Sequence, residues 1–272
     1  MSQSDPSKVF LHDAADPDMQ RARDDARRTF RYFWRELAWE RRRIIPGLDV
    51  ACVKAPFSDG GPPARSGNRP AVEEMWISDI DFDGRAVTGK LLNRPNWLTS
   101  VREGDAVRLP LDRISDWMYV IAGEVFGAHT VQLMRARMDR AQRAQHDQAW
   151  GLNFGDPATV RLVPEPKRPA GLKGLFTKPR PDAALHGDHP MSINMGPSLK
   201  EQVRQDPSFL TAHDDRGWTT LHDLALAGSS TGVRILLEAG ADPRSRTADG
   251  RTPADLARSL GWDDVVALLE AR

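Results

Sequence analysis

The stretch Gly217-Trp-Thr-Thr-Leu-His222, continued by Leu236-Leu-Glu-Ala-Gly-Ala-Asp-Pro243 and Asp249-Gly-Arg-Thr-Pro-Ala-Asp-Leu-Ala257, decides the fold of the last third of the chain. It is written twice. Gly217, Thr219, Gly228, Val233 and Leu236 recur 33 residues later as Gly250, Thr252, Gly261, Val266 and Leu269. A fixed period of that length marks stacked repeats, in which each unit buries its apolar face against the next. Two full copies fall short of the roughly three needed for a continuous core, so both ends need a cover. The second copy makes its own: Ala225, Leu226 and Leu237 become Arg258, Ser259 and Glu270, a polar outer side. The first copy keeps its leucines. Ser198-Leu-Lys-Glu201 is a capping-box pattern and predicts a helix over Ser198–Arg204 that covers them, alone or with the central part of the chain.

The Thr-x-Leu-His and Thr-Pro helix starts at this spacing resemble the ankyrin family. The resemblance implies an all-α ankyrin-repeat domain that serves as a scaffold for binding another macromolecule rather than for a reaction. Thr219 and His222 match the consensus pair that fixes the turn before each first helix, which makes His222 structural. Trp218 and Trp262 fall at variable consensus positions near turns. Tryptophan is enriched in binding hot spots, so Trp218, Trp262 and the turn formed by Asp249, Gly250 and Arg251 are the candidate partner-binding residues. The competing expectation is that each indole shields a terminal repeat.

The chain of 272 residues accommodates two domains. Lys plus Arg equals Asp plus Glu at 38 each, which leaves no global field to attract nucleic acid or anionic lipid. One cysteine, Cys52, excludes an internal disulfide and multi-cysteine zinc sites. The first residues lack a signal pattern and no apolar run is long enough to span a bilayer. The expectation is a cytoplasmic protein without nucleic-acid or membrane partners, its oligomeric state open.

Residues 1–15 are polar and are expected to be disordered. A helix follows, capped by Asp16 and started by Pro17, with Met19, Ala22, Ala26, Phe30, Phe33 and Leu37 in one stripe and an end near Arg43. Leu48–Phe57 reads as a strand. Met75–Phe82 and Arg85–Leu92 read as a hairpin about Asp83-Gly84, and a two-residue type I′ turn there sets Ile80 against Val87 and Trp76 against Leu91. Strands follow at Ala106–Leu109 and Asp116–Ile121, then a helix over Thr130–Gln145. Residues 164–190 are rich in Pro and Gly and mildly basic, a linker.

The motifs Met75-Trp-Ile-Ser-Asp-Ile80, Gly89-Lys-Leu-Leu-Asn-Arg-Pro95, Glu103-Gly-Asp-Ala-Val107, Ile114-Ser-Asp-Trp-Met118 and Gly127-Ala-His-Thr130 resemble the YegJ-like bacterial domain of unknown function. Phe30-Arg-Tyr-Phe-Trp-Arg-Glu-Leu37 also looks like longer members that carry ankyrin repeats at the C-terminus. The resemblance covers about residues 20–160 and implies a fold relative without an assigned activity. Where members show Gly-Gly and an aromatic before the Thr, this chain has Gly127-Ala128-His129. The expected fold class is α+β, a long N-terminal helix on a twisted antiparallel β-sheet, plus the all-α ankyrin-repeat domain. The expected domains are 16–163, the linker 164–190 and repeats over 191–272.

Chemical motifs are thin. Asp79-Ile-Asp-Phe-Asp-Gly84 copies half of a calcium loop, but Lys90 stands where a bidentate Glu is required. Cys52 has no nucleophile setting, and His186 and His189 are expected to be solvated loop residues. No catalytic residue, metal ligand or cofactor is expected. Asn93, Trp97, Arg113, Ser115, Asp116 and Trp117 form a candidate groove, by analogy with small barrels that bind between loops. Ser115 and Asp116 equally suit a structural task, satisfying loose N–H groups while the indole packs. The leading expectation is a non-catalytic adaptor that grips a protein partner through the repeats. The alternative makes the YegJ-like domain the target-binding, immunity-type module with the repeats as accessory, and an enzyme is the third.

Overall fold

The computed structural model describes residues 16–60, 72–165, 185 and 187–271. The expected disordered N-terminus, most of the linker and His186 lie outside the described residues. Backbone contacts divide the chain into two compact units. One is made of residues up to Phe30 with Pro46–Leu162, the other of Arg31–Ile45 with residues from Val163 onward.

The first unit is an α+β layer. Helix α1 (Pro17–Glu40) starts where the sequence places it, because the Asp16 carboxylate accepts the N–H of Asp18 at 2.9 Å. Strands β1 (Val50–Phe57), β2 (Glu73–Phe82), β3 (Ala86–Leu91), β4 (Ala106–Pro110), β5 (Asp116–Ile121) and β6 (Glu124–Gly127) form one antiparallel sheet, ordered β4-β3-β2-β1-β5-β6. The first part of α1 packs on one face. Phe30 meets Phe82 edge-on at 5.3 Å, and the Trp117 indole N–H donates to the Ala26 carbonyl at 2.8 Å. On the other face Cys52, Trp76, Met118 and Val120 join Val125, Ala128, Val131 and Phe154 in a second core. Helices α2 (His129–Ala136) and α3 (Arg140–Trp150) follow β6.

Four local expectations are corrected. The hairpin pairs Phe82 with Val87 and Ile77 with Leu91, so neither Ile80–Val87 nor Trp76–Leu91 is a pair. The Asp83 carboxylate takes the N–H groups of Arg85 and Ala86, each at 2.8 Å, and widens the loop beyond two residues. A bulge with Asp79 at φ 52° then puts Ile80 and Phe82 on the same buried face as Met75 and Ile77, while Trp76 faces the other side by ordinary strand alternation. Gly89 crosses from that bulge, and a Cβ there would run into the Ser78 carbonyl and Ile77. β6 was not anticipated at all. The helix expected over Thr130–Gln145 is two helices, since Asp139 and Gln142 form a capping box that starts α3 afresh. The helix expected at Ser198 begins at Pro190: α4 (Pro190–Gln205) runs through both Ser198 and Pro197.

The second unit stacks α4 with α5 (Thr220–Leu226), α6 (Ser230–Glu238), α7 (Pro253–Ser259) and α8 (Asp263–Glu270). The two full repeats are α5–α6 and α7–α8, and α4 lies against α6. Asp188, just before α4, caps α6 by accepting the N–H groups of Ser230 and Thr231 at 2.8 and 2.6 Å. Arg31–Glu40 of α1 also belongs to this unit. Tyr32 meets Trp262 edge-on at 6.2 Å, and Trp39 stacks on His189 at 5.8 Å. His189 is therefore buried rather than solvated. Its Nδ1 accepts the Met191 N–H at 3.1 Å as the cap of α4, and its Nε2 lies 3.1 Å from Glu36.

Candidate functional site

The repeat unit presents two turns, each held by side chains within it. In the first, Asp214 accepts the N–H groups of Arg216 and Trp218, both at 2.9 Å, and its carboxylate meets the Arg216 guanidinium at 2.8 Å. Burial opposes ionisation of Asp214, but these donors outweigh it and hold the carboxyl below its ordinary range. In the second, Thr247 donates to Asp249 at 2.6 Å and Arg251 pairs with Asp249 at 2.8 Å. Gly217 and Gly250 stand at φ 72° and 82°, a conformation glycine adopts without a Cβ penalty. Asp214, Asp215, Arg216, Arg244, Ala248 and Asp249 are exposed.

The two tryptophans are inside. Trp218 is 5 % exposed, with the Arg216 guanidinium 4.4 Å and that of Arg251 5.8 Å from its ring. Trp262 is 9 % exposed, donates its indole N–H to the Leu226 carbonyl at 3.1 Å, and lies where a Cβ on Gly228 would be. Arg31 and Arg35 sit over it at 5.4 and 5.6 Å. Of the four candidate partner-binding residues, Asp249 alone is well exposed; Arg251 is largely covered. His222 performs the turn-fixing task expected of it: Nδ1 accepts from the Thr219 N–H and lies 2.9 Å from its hydroxyl, while Nε2 reaches the Ser245 carbonyl.

In the first unit the six groove candidates are spread over different surroundings. Asp116 and Trp117 are consecutive in β5 and so point to opposite faces of the sheet. Trp117 goes under α1 and stacks on Tyr119 at 6.1 Å. Asp116 is 0 % exposed and accepts the N–H groups of His129 and Thr130 and the Thr130 hydroxyl at 2.9, 2.8 and 2.5 Å, with the Lys54 ammonium 3.8 Å away. It thus caps α2 from another strand, the N–H-satisfying task weighed for it from sequence. Ala128 before α2 is at φ 58°, ψ 41°, left-handed, where the family resemblance places a glycine. Such a residue carries about 1 kcal/mol of strain or more. Ser115 donates to Glu74, and Asn93 accepts the Trp76 N–H at 2.8 Å. Trp97 is half-buried. Arg113 is exposed beside an open hollow of about 230 Å³ with Ala55, Pro56, Phe57, Ser58 and Leu109.

The remaining titratable candidates have structural surroundings. Burial and the nearby Asp116 push the Cys52 thiol far above its ordinary range, which keeps it protonated. Lys90 pairs with Asp79 at 3.1 Å, so the cation at the twelfth position of the calcium-like stretch meets its first acid. Among the described residues no group of three His, Cys, Asp or Glu is placed to hold a metal ion, and no helix is long and apolar enough to cross a membrane.

Comparison with known proteins finds two matching stretches in the chain. Residues 16–154 match the profile of the family described as uncharacterized protein conserved in bacteria (DUF2314), and residues 210–257 match that of ankyrin repeats (many copies). A Neisseria meningitidis serogroup B protein named for ankyrin repeats is 42 % identical over 267 residues, 98 % of each chain. The uncharacterized protein YegJ of Escherichia coli K12 is 29 % identical over 83 residues, 30 % of this chain and 48 % of its own length. Human ARF GTPase-activating protein GIT1 is 40 % identical over 57 residues, 21 % of this chain and 8 % of its own.

Proposed function

We propose that this chain, which belongs to the DUF2314 family of proteins conserved in bacteria and carries ankyrin repeats behind that domain, is a cytoplasmic, non-catalytic adaptor that binds a protein partner on its repeat unit. The observation that carries the reading is the state of the two turns around Asp214–Gly217 and Thr247–Arg251. Their tips are exposed and charged, while their backbones are already fixed by Asp214 and Thr247. A surface organised before contact loses little conformational freedom on binding, which favours affinity.

The partner-contacting residues on this reading are Asp215, Arg244, Ala248 and Asp249 rather than the indoles. Trp218→Ala would empty a buried position between two guanidiniums and confound binding with folding. Asp215→Arg combined with Arg244→Glu avoids that, since neither side chain is bonded to anything described. Affinity purification from the native cell should recover partners with the wild-type chain and lose them at least tenfold with the double variant, at unchanged melting temperature. Full recovery by the variant would refute the turns as the contact surface.

A further inference from the structure

The second core of the sheet unit is incompletely covered. Across β1, β2 and the end of β3, Lys54, Trp76 and Leu92 stand in one cross-strand row, since Lys54 pairs with Trp76 and the Leu92 N–H donates to the Trp76 carbonyl at 2.8 Å. Trp150 at the end of α3 meets Trp76 edge-on at 6.5 Å. Leu92 is 49 % exposed and Trp150 39 %. Two large apolar side chains thus flank one buried indole and face outward together, more than scattered surface residues need.

The rim is basic. Arg143 shares the His146–Trp150 face of α3, at helical spacing, and Arg94 follows Asn93, whose side chain holds the Trp76 N–H. Neither guanidinium has an acid partner among the described residues, whereas the nearby acids Glu74 and Asp147 are tied to Arg23 and Arg135. Three stretches of the chain lie outside the description. Residues 61–71 carry two arginines and no acid, and 166–184 carry five cations against Asp182, so the rim repels both. The N-terminal stretch differs: Val9-Phe10-Leu11 is its apolar run, set between Asp5 and Asp13, with Lys8 its one cation.

Its attachment point is favourable. Asp16 is bound by Arg137, which precedes α3 by three residues, at 2.5 Å. From there Trp150 is roughly 20 Å away along α3 at 1.5 Å per residue, and six extended residues from Asp16 to Phe10 span about 20 Å. We propose that the Leu92–Trp76–Trp150 patch is the docking site of this chain's own N-terminal arm, with Phe10 and Leu11 on the indoles and Asp5 and Asp13 toward Arg94 and Arg143.

Hydrogen exchange on the full chain tests this. Residues 8–12 should exchange at least tenfold more slowly than in a synthetic peptide of residues 1–15. Trp150→Ala, and separately Arg94→Glu with Arg143→Glu, should each restore peptide-like exchange there and leave β1 and β5 unchanged. The charge variant touches no core residue, so it stands if Trp150→Ala disturbs folding. Peptide-like exchange in the wild-type chain overturns the proposal. So does protection that survives the charge variant.

Discussion

The repeat turns and the sheet unit satisfy their polar groups over different distances along the chain. In the turns and helix starts of the two repeats the partner is two to four residues away: Thr219 with His222, Thr252 with Asp255, Thr247 with Asp249, Asp214 with Trp218. The contacts that hold the repeats against their cover reach farther, as from Asp188 to Ser230 and from Trp262 to Leu226. In the sheet unit Asp116 reaches 13 and 14 residues to His129 and Thr130, Glu73 reaches 23 to Asn96, and Arg27 reaches 87 to the Ile114 carbonyl. Local devices form within one turn of chain and fail one at a time. Long-range ones each tie two elements, so one side chain carries the placement of a whole helix or loop.

Asp116→Ala gives the largest expected effect. It strands the His129 and Thr130 N–H groups at the start of α2 and leaves the Lys54 ammonium without its carboxylate, all in buried or nearly buried surroundings. Breaking a buried charged network from one side costs about 3–5 kcal/mol. Urea denaturation followed through exchange of β5 amides should show that loss, with the repeat-unit amides unaffected. A loss below about 1 kcal/mol would mean that Asp116 is as replaceable as a helix cap, and the contrast between units would fail.

The next effect sits in the repeat unit and depends on pH. Burial holds His222 below the ordinary histidine value, because a charged ring is disfavoured there. The unfolded chain, with an ordinary value near about 6.5, then binds more protons than the folded one. Stability is full above that pH and falls as pH drops through it, by at most about 1.4 kcal/mol per unit. His129 in the sheet unit has the same sign for the same first cause, burial. His222→Gln keeps a capping-box residue that does not titrate, so acid scans should lose the slope in repeat-unit amides while the sheet unit keeps its own. An unchanged slope in the repeat unit would place its acid sensitivity elsewhere.

This difference in range also explains what could be read from sequence. The ankyrin repeats were legible because they recur at 33 residues, the polar outer cap because the second copy departs from the first at Arg258, Ser259 and Glu270, and the role of His222 because Thr219 stands three residues before it. The start of α1 was legible for the same reason, Asp16 and Pro17 being adjacent signals. The candidate groove was not, since nothing local says that Asp116 and Trp117 serve opposite faces of a sheet. The burial of Trp262 beneath Tyr32 is a contact across 230 residues and leaves no local trace. The break between α2 and α3 is written locally, in Asp139 and Gln142, but the apolar spacing of Val131, Met134 and Met138 runs toward it at helical period and masks that signal.

The smallest effect probes a local device in the sheet unit. Two dipeptides there end in glycine, and they exchange roles. Asp83-Gly84 has the composition of a type I′ turn but forms a wider loop held by the Asp83 side chain. Ala122-Gly123 lacks that composition, yet it is the two-residue turn between Ile121 and Glu124, with φ at 50° and 77°. β6 escaped sequence reading because alanine rarely occupies the left-handed region. Ala122 is exposed, so replacing it removes no packing. Ala122→Asn should therefore stabilise the chain by about 0.5 kcal/mol, relieving strain without adding a contact. Slower exchange of the Ile121 and Glu124 amides would check it. A neutral or destabilising result would show that even the short-range features of this sheet answer to packing elsewhere, unlike the turns of the repeats.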